Sequence, residues 1–217
     1  MKNTPYEILL LRHAESIKNI KHIHGGLGEE LTQLGVEQAL RVAQSLIDYG
    51  FSNLKIFSSN SYHTLATAQI IGKELDKIIE QPIQFKPLYL GIADGISDEE
   101  LKILDINSYS LFKRWREKKI DIKELLIPNM ESYIDFWDRG LSLINSIAFE
   151  GDSLLVCSNS LMILLTHIMM NNNPKTTDNY RHIDIGNCEI IAFKTFDYQK
   201  YEFDNKLTTV KDVFNVF

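Results

Sequence analysis

The sequence predicts an α/β fold: a three-layer α/β/α sandwich with a mostly parallel sheet and a helical cap insertion. Two observations carry this. Ile8–Leu11 and Ser153–Cys157 are short, continuously apolar runs, as expected for strands buried on both faces of a parallel sheet. Segments with helical periodicity lie between the strands, which is the βαβ order that places helices on both sides of such a sheet.

The elements follow in order. Ile8–Leu11 is the first strand. His22-Ile23-His24-Gly25-Gly26-Leu27-Gly28 is a glycine-rich loop, suited to a tight turn or to backbone approach to a ligand; it is no Walker loop, since no Gly-Lys-Ser/Thr follows. Thr32 caps a helix running to about Tyr49, with Val36, Ala39, Leu40, Ala43, Leu46 and Ile47 as its apolar face and Gly50 as its stop. Leu54–Phe57 is a short strand, and 58–68 leads into a second helix. Ile83–Leu90 is extended, with Pro87 marking an edge or irregular strand. Residues 96–127, charged and carrying Trp115, read as a helical insertion over a pocket. Pro128 opens a long helix with Ile134, Trp137, Leu141, Ile144 and Ala148 as its stripe. After strand Ser153–Cys157 an apolar helix runs to about Met170, and Ile190–Phe193 and Lys200–Phe203 form a last pair of strands. Neither an internal repeat nor an interdomain linker interrupts the 217 residues, which read as a single domain, 1–217.

Composition narrows the partners. A formal charge of −6 disfavours a nucleic-acid binder, which needs a basic face, but leaves room for a local basic pocket. The start, Met1–Tyr6, has no apolar signal region, and the run Leu161–Met170 is too short for a bilayer, so a soluble cytoplasmic protein without membrane contact is expected. Cys157 and Cys188 sit in strand-like contexts and read as buried reduced thiols. A homodimer is compatible with the sequence.

Chemistry concentrates where the first apolar run stops. Arg12 brings a planar fork of donors suited to phosphate oxygens, and His13 a ring nitrogen that attacks phosphorus when neutral. Arg12-His13-Ala14-Glu15-Ser16, with Asn19 six residues after the histidine, resembles the phosphate-pocket motif of the histidine phosphatase superfamily, the phosphoglycerate-mutase-like fold, with Ala14 in place of the usual glycine. Leu31-Thr32-x-x-Gly35-x-x-Gln38-Ala39, Ser58-Ser59 followed by Thr67-Ala68, Gly91-x-x-x-Gly95 and Asn187-Cys188-Glu189 extend the resemblance over most of the chain.

The resemblance implies a phosphohydrolase acting on a small phosphorylated or anionic substrate through a phosphohistidine at His13. Arg12 is then the principal clamp, and Asn19, Ser16 and Ser160 are further contacts. No cofactor or metal is implied, because arginines neutralise the phosphate. Three positions depart from the pattern. His63 stands where a second arginine is expected, Asn159 where a second pocket histidine is expected, and Pro87 where the general-acid glutamate is expected. A protonated His63 can supply one charge without a bidentate fork and a neutral one a single donor, and Asn159 donates a hydrogen bond without charge. His22 and His24 are either loop residues or replacements for the lost charge, and Glu99, with its acidic neighbours, is either a helix end or a stand-in acid. These departures leave a catalytically inactive pseudophosphatase, binding a phosphate ligand or a partner, as the alternative, and altered chemistry on the same cradle as a third reading.

Overall fold

The computed structural model describes residues 6–26, 28–51, 53–82, 85–147, 151–170, 172, 180–195 and 208–209. Strand β1 (Tyr6–Arg12) lies beside β4 (Ser153–Cys157) in parallel, with Leu10 opposite Leu155 and Arg12 opposite Cys157. Next to β4 runs β2 (Lys55–Ser58), then the two-residue β3 (Ile79–Glu80), both parallel. On the other side of β1, β5 (Ile190–Thr195) and β6 (Thr208–Thr209) are antiparallel. The order is therefore β3-β2-β4-β1-β5-β6, a mixed and mostly parallel sheet.

Burial on both faces explains why β1 and β4 read as unbroken apolar runs. Ile8, Leu10, Leu155 and Cys157 face one core, with Phe136 and Trp137 of α6 (Tyr133–Ser146) and Leu161, Leu164 and Leu165 of α7 (Asn159–Met169). Leu9, Leu11, Leu154 and Val156 face the other, with Ala39, Val42 and Leu46 of α2 (Gln33–Asp48) and Ala68 and Ile71 of α3 (Tyr62–Leu75). Helices on both faces complete the expected α/β/α sandwich. Cys157 and Cys188 are free and buried, as expected, and burial raises both thiols, Cys188 to about 12.

Several details differ from expectation. The edge or irregular strand expected at Ile83–Leu90 is not formed over residues 85–90, which are irregular, and 83–84 lie outside the described residues. Pro82 and Pro87 offer no N–H to a ladder, and the carbonyls of Lys86 and Pro87 accept from the Arg139 guanidinium at 2.8 and 3.1 Å instead. The long helix begins at Tyr133, not Pro128. Pro128 spends its carbonyl on Ile92 N–H (3.1 Å), and Ser132 is the cap, accepting from Asp135 N–H at 3.1 Å. On α2 the buried face is centred on Ala39, Val42, Ala43 and Leu46, leaving Leu40 and Ile47 on an exposed flank. Leu141 is likewise exposed, and Ala148 and Lys200–Phe203 fall outside the described residues. Within residues 96–127 the helices are α4 (Asp98–Leu104) and α5 (Ile106–Arg116), separated by the extended Asp105. Among the described residues no helix is long and apolar enough to cross a membrane.

The start of α2 does more than cover the sheet. Thr32 N–H donates to the Glu15 carbonyl (3.0 Å) and Thr32 Oγ1 to Glu15 Oε1 (2.8 Å), while Gln38 Oε1 accepts from Glu15 N–H (2.9 Å). Thr32 Oγ1 also accepts from Gly35 N–H (2.9 Å). A Cβ on Gly35 would lie 2.0 Å from the Glu15 carbonyl oxygen, so only glycine lets the helix approach this closely. Thr32, Gly35 and Gln38 thus form a clasp on the loop after β1. Ala in place of Gly ordinarily stabilises a helix. Here Gly35→Ala is expected to destabilise the fold by about 1–3 kcal/mol, measured by urea unfolding; an unchanged or raised midpoint would contradict the clasp.

Candidate active site

The site lies at the carboxyl ends of β1 and β4, around a cavity of about 500 Å³. Its lining includes Arg12, His13, Lys18, Asn19, His22, His24, His63, Pro87, Phe112, Trp115, Arg116, Asn159, Ser160, His182 and Asn187. The apolar strand is pinned up to its last residues: Arg12 N–H donates to the Glu189 carbonyl and His13 N–H to the Cys157 carbonyl, both at 3.0 Å. The polar pair therefore emerges where the ladder ends.

His13 is 4% exposed, and its Nδ1 lies 2.7 Å from the Ala14 carbonyl oxygen. A carbonyl only accepts, so Nδ1 carries the hydrogen and Nε2 keeps its lone pair. Burial, the neighbouring His63 and Arg12 push the His13 pKa well below the usual imidazole value, which keeps the ring neutral at pH 7. Ala14, at the usual glycine position, is fully buried, and its N–H donates to Thr67 Oγ1 (3.1 Å), which donates in turn to the His63 carbonyl (2.7 Å).

Arg12 Nη1 donates to the Ile185 carbonyl, and its buried Nε has no hydrogen-bond partner. Asn19 is oriented by three donors converging on its Oδ1: Ser16 N–H (3.0 Å), Ser16 Oγ (3.0 Å) and Asn187 Nδ2 (3.3 Å). Its amide N–H₂ is left to donate. Ser16 is wholly buried and outside the lining, where its N–H and hydroxyl orient Asn19. Ser160 lines the cavity while its Oγ accepts from Leu88 N–H at 3.2 Å.

His63, on the first turn of α3, is tilted 58° against His13 with ring centroids 4.0 Å apart. Burial, Lys18 and Arg12 push its pKa down to about 3. Of the two states open to His63, burial and two neighbouring cations favour the neutral ring at neutral pH. Gly28, at φ +87°, makes room for this ring: a Cβ there would lie 1.9 Å from His63 Nδ1. Asn159 stands on the first turn of α7 with its Oδ1 buried and unpartnered. Both helices follow parallel strands, and their amino ends favour negative charge.

Across the cavity, His24 Nε2 is 2.9 Å from Asp98 Oδ1, and Arg116 Nη2 donates to both Asp98 oxygens at 2.8 and 2.9 Å. Burial lowers the pKa of His24 despite this carboxylate. His22 lines the cavity at the exposed end of its loop. Glu99 does not line it. Of its neighbours, Asp98 is held by Arg116 and His24, and Glu100 caps α4 through Ser97 (2.7 Å), so this helix start brings no free acid to the cavity. Pro87 does line it, at the place of the expected acid.

Lys18, Arg116, His182 and Asn187 were not foreseen as site residues. Asn187 also donates to the His13 carbonyl (2.9 Å), and the Asn187-Cys188-Glu189 word was its available signal. His182 packs edge-on against Trp115 at 4.8 Å, and its Nδ1 lies 3.4 Å from Asp184 Oδ1. Nothing local in Arg181-His182-Ile183 marks it, because only the loop before β5 carries it back to the cavity.

Fold and cavity together define a class: an α/β/α protein whose central strand delivers an Arg-His pair into a cavity rich in cations and imidazoles. The family model described as histidine phosphatase superfamily (branch 1) matches residues 8–206, and the chain belongs to that family. Human 6-phosphofructo-2-kinase/fructose-2,6-bisphosphatase 4 is 28% identical over 159 residues, 73% of this chain and 32% of that protein. A probable phosphatase of Schizosaccharomyces pombe is 27% identical over 70% of this chain and 50% of its own length. The chain thus spans about a third of the length of the bifunctional relatives it matches. Among solved structures, Bacillus stearothermophilus YhfR superposes with a TM-score of 0.77 at 20% identity, over 94% of this chain and 96% of that one. A mycobacterial glucosyl-3-phosphoglycerate phosphatase superposes with a TM-score of 0.74 at 19% identity, over 94% and 98%. The printed names of three of these relatives include a phosphatase or bisphosphatase, so phosphoryl transfer is the chemistry they share.

The buried neutral imidazoles set a pH dependence. In the unfolded chain His63 takes up a proton near pH 6.5; in the fold it does so only near 3. The unfolded state therefore binds more protons in between, and stability falls as pH falls through this window. His63→Gln removes that contribution. Urea unfolding from pH 6 to 4.5 should show the variant losing about 1.4 kcal/mol per pH unit less than the parent protein. Parallel curves would contradict a buried neutral His63.

Proposed function

We propose that this chain is a histidine-phosphatase-type phosphohydrolase acting on a small phosphorylated metabolite, with His13 as the nucleophile. The observation that carries the reading is the His13 hydrogen bond through Nδ1 to the Ala14 carbonyl, which leaves Nε2 as a lone-pair donor beside Arg12 in a cavity of metabolite size. In this reading Arg12, Asn19 and Asn159 hold the phosphoryl oxygens. Nε2 of His13 attacks phosphorus as the P–O ester bond breaks, the departing ester oxygen takes its proton from a water molecule, and the hydroxide so formed hydrolyses the phosphohistidine to free His13 and inorganic phosphate. Residues 96–127 serve as a cap insertion on the single domain 1–217, and Phe112, Trp115 and Arg116 from that segment select the rest of the substrate. The names of the relatives, a fructose-2,6-bisphosphatase and a glucosyl-3-phosphoglycerate phosphatase, make sugar phosphates and phosphoglycerate esters the first compounds to try.

A second reading, a pseudophosphatase that binds a phosphate ligand without turnover, is favoured by Pro87 at the acid's place, the uncharged Asn159 and the neutral His63. Loss of one charged donor from such a site costs on the order of 10²- to 10³-fold in rate, so a slow enzyme and an inactive one are close neighbours.

A panel of sugar phosphates, phosphoglycerates and nucleoside monophosphates, assayed for phosphate release at pH 5–8, separates them. The enzyme reading expects turnover that His13→Ala lowers by about 10³-fold or more. Turnover unchanged in His13→Ala excludes the mechanism, and ligand binding without turnover favours the second reading.

A further inference from the structure

Among the residues lining the cavity, Arg12, Lys18 and Arg116 are the ones with a formal positive charge. Arg116 is neutralised by Asp98, to which it donates twice. Arg12 and Lys18 have no carboxylate within ion-pair distance among the described residues. Glu15, the carboxylate of the lining, accepts from the Thr32 hydroxyl. The imidazoles of His13 and His63 are held neutral by burial and by these same cations. A phosphomonoester brings about two negative charges at neutral pH, and two unpaired cations face the space it would fill.

We propose that Lys18 is the second cation of the anion site, binding phosphoryl oxygens together with Arg12. The inference rests on the reading of this cavity as a phosphoryl site. Lys18 precedes Asn19 on the short helix Ile17–Ile20, so two donors leave the same turn. Its ammonium group spends one N–H on the Gly25 carbonyl of the glycine-rich loop and keeps two for a ligand. That bond aims the side chain and fixes the loop whose Gly28 packs on His63. The charged and titratable groups acting on it are Asp94 and Glu29, which favour its charge, and Arg12, which opposes it; its own charge acts on His13, His24 and His63. Burial outweighs the carboxylates and lowers its pKa to about 8, so Lys18 is charged at neutral pH and loses its charge in a range where Arg12 does not.

The test is calorimetric titration of the full chain with inorganic phosphate. At pH 8, Lys18→Met is expected to weaken binding by about tenfold or more, and Lys18→Arg to stay within about threefold of the parent protein. Between pH 8 and 9.5 phosphate stays a dianion, and the parent's affinity is expected to fall by about tenfold as the ammonium deprotonates, whereas that of Lys18→Arg holds. A role confined to holding Gly25 would leave this pH profile flat. Equal binding by Lys18→Met and the parent, with Arg12→Met impaired, overturns the assignment of Lys18 and leaves the anion site standing. Absence of binding by the parent, or binding unaffected by Arg12→Met, overturns the anion site and the role of Lys18 with it.

Discussion

The backbone hydrogen bonds that grip β1 on both edges, from Arg12 N–H to the Glu189 carbonyl and from His13 N–H to the Cys157 carbonyl, are the constraint on which the site depends. Leu10 and Leu11 are fully buried on opposite faces, so the strand has no freedom to slide: a shift of one residue would exchange its two core faces. The end of the apolar run is therefore the end of the ladder, and the first two polar side chains emerge at the sheet's carboxyl edge. Such an edge is where open α/β sheets hold ligands.

Around that fixed point the chain spends side chains on a short loop. Thr32, Gly35 and Gln38 hold Glu15, Thr67 holds Ala14, and Asn187 holds both the His13 carbonyl and Asn19. Recurring sequence words thus have a mechanical reading: each ties the loop after β1 to a different element. The outcome is a preorganised imidazole with one tautomer. Charge is arranged on the same principle. Neutral His63 and His13 lie ring against ring, while among the described residues Arg12 and Lys18 make no ion pair, with Glu189 acting on Arg12 and Asp94 and Glu29 on Lys18 only from further away, so positive charge is left in the cavity for an anion.

Much of this was legible in the sequence, for physical reasons. Strands buried on both faces announce themselves by unbroken apolarity, and β4 falls on Ser153–Cys157 as read. Helix α2 follows its Thr32 cap residue for residue. Arg12, His13, Asn19, His63 and Asn159 meet because each lies at a strand end or on the first turn after one. What escaped was set by contacts between distant segments. Arg139 satisfies the carbonyls of Lys86 and Pro87, so proline-flanked Ile83–Leu90 builds no strand across residues 85–90. His182 reaches the cavity from a loop without local pattern. Lys18 sits at a position the motif leaves unspecified, and the neutrality of His63 is a property of burial that residue identity does not carry.

The account stands on a tetrahedral anion lying against His13. A crystal structure of the vanadate complex tests this directly. The account predicts vanadium in bonding contact with His13 Nε2, with its oxygens held by the Arg12 guanidinium and the Asn19 amide. Vanadate bound elsewhere, or an anion met by Nδ1 after loss of the Ala14 hydrogen bond, would contradict it.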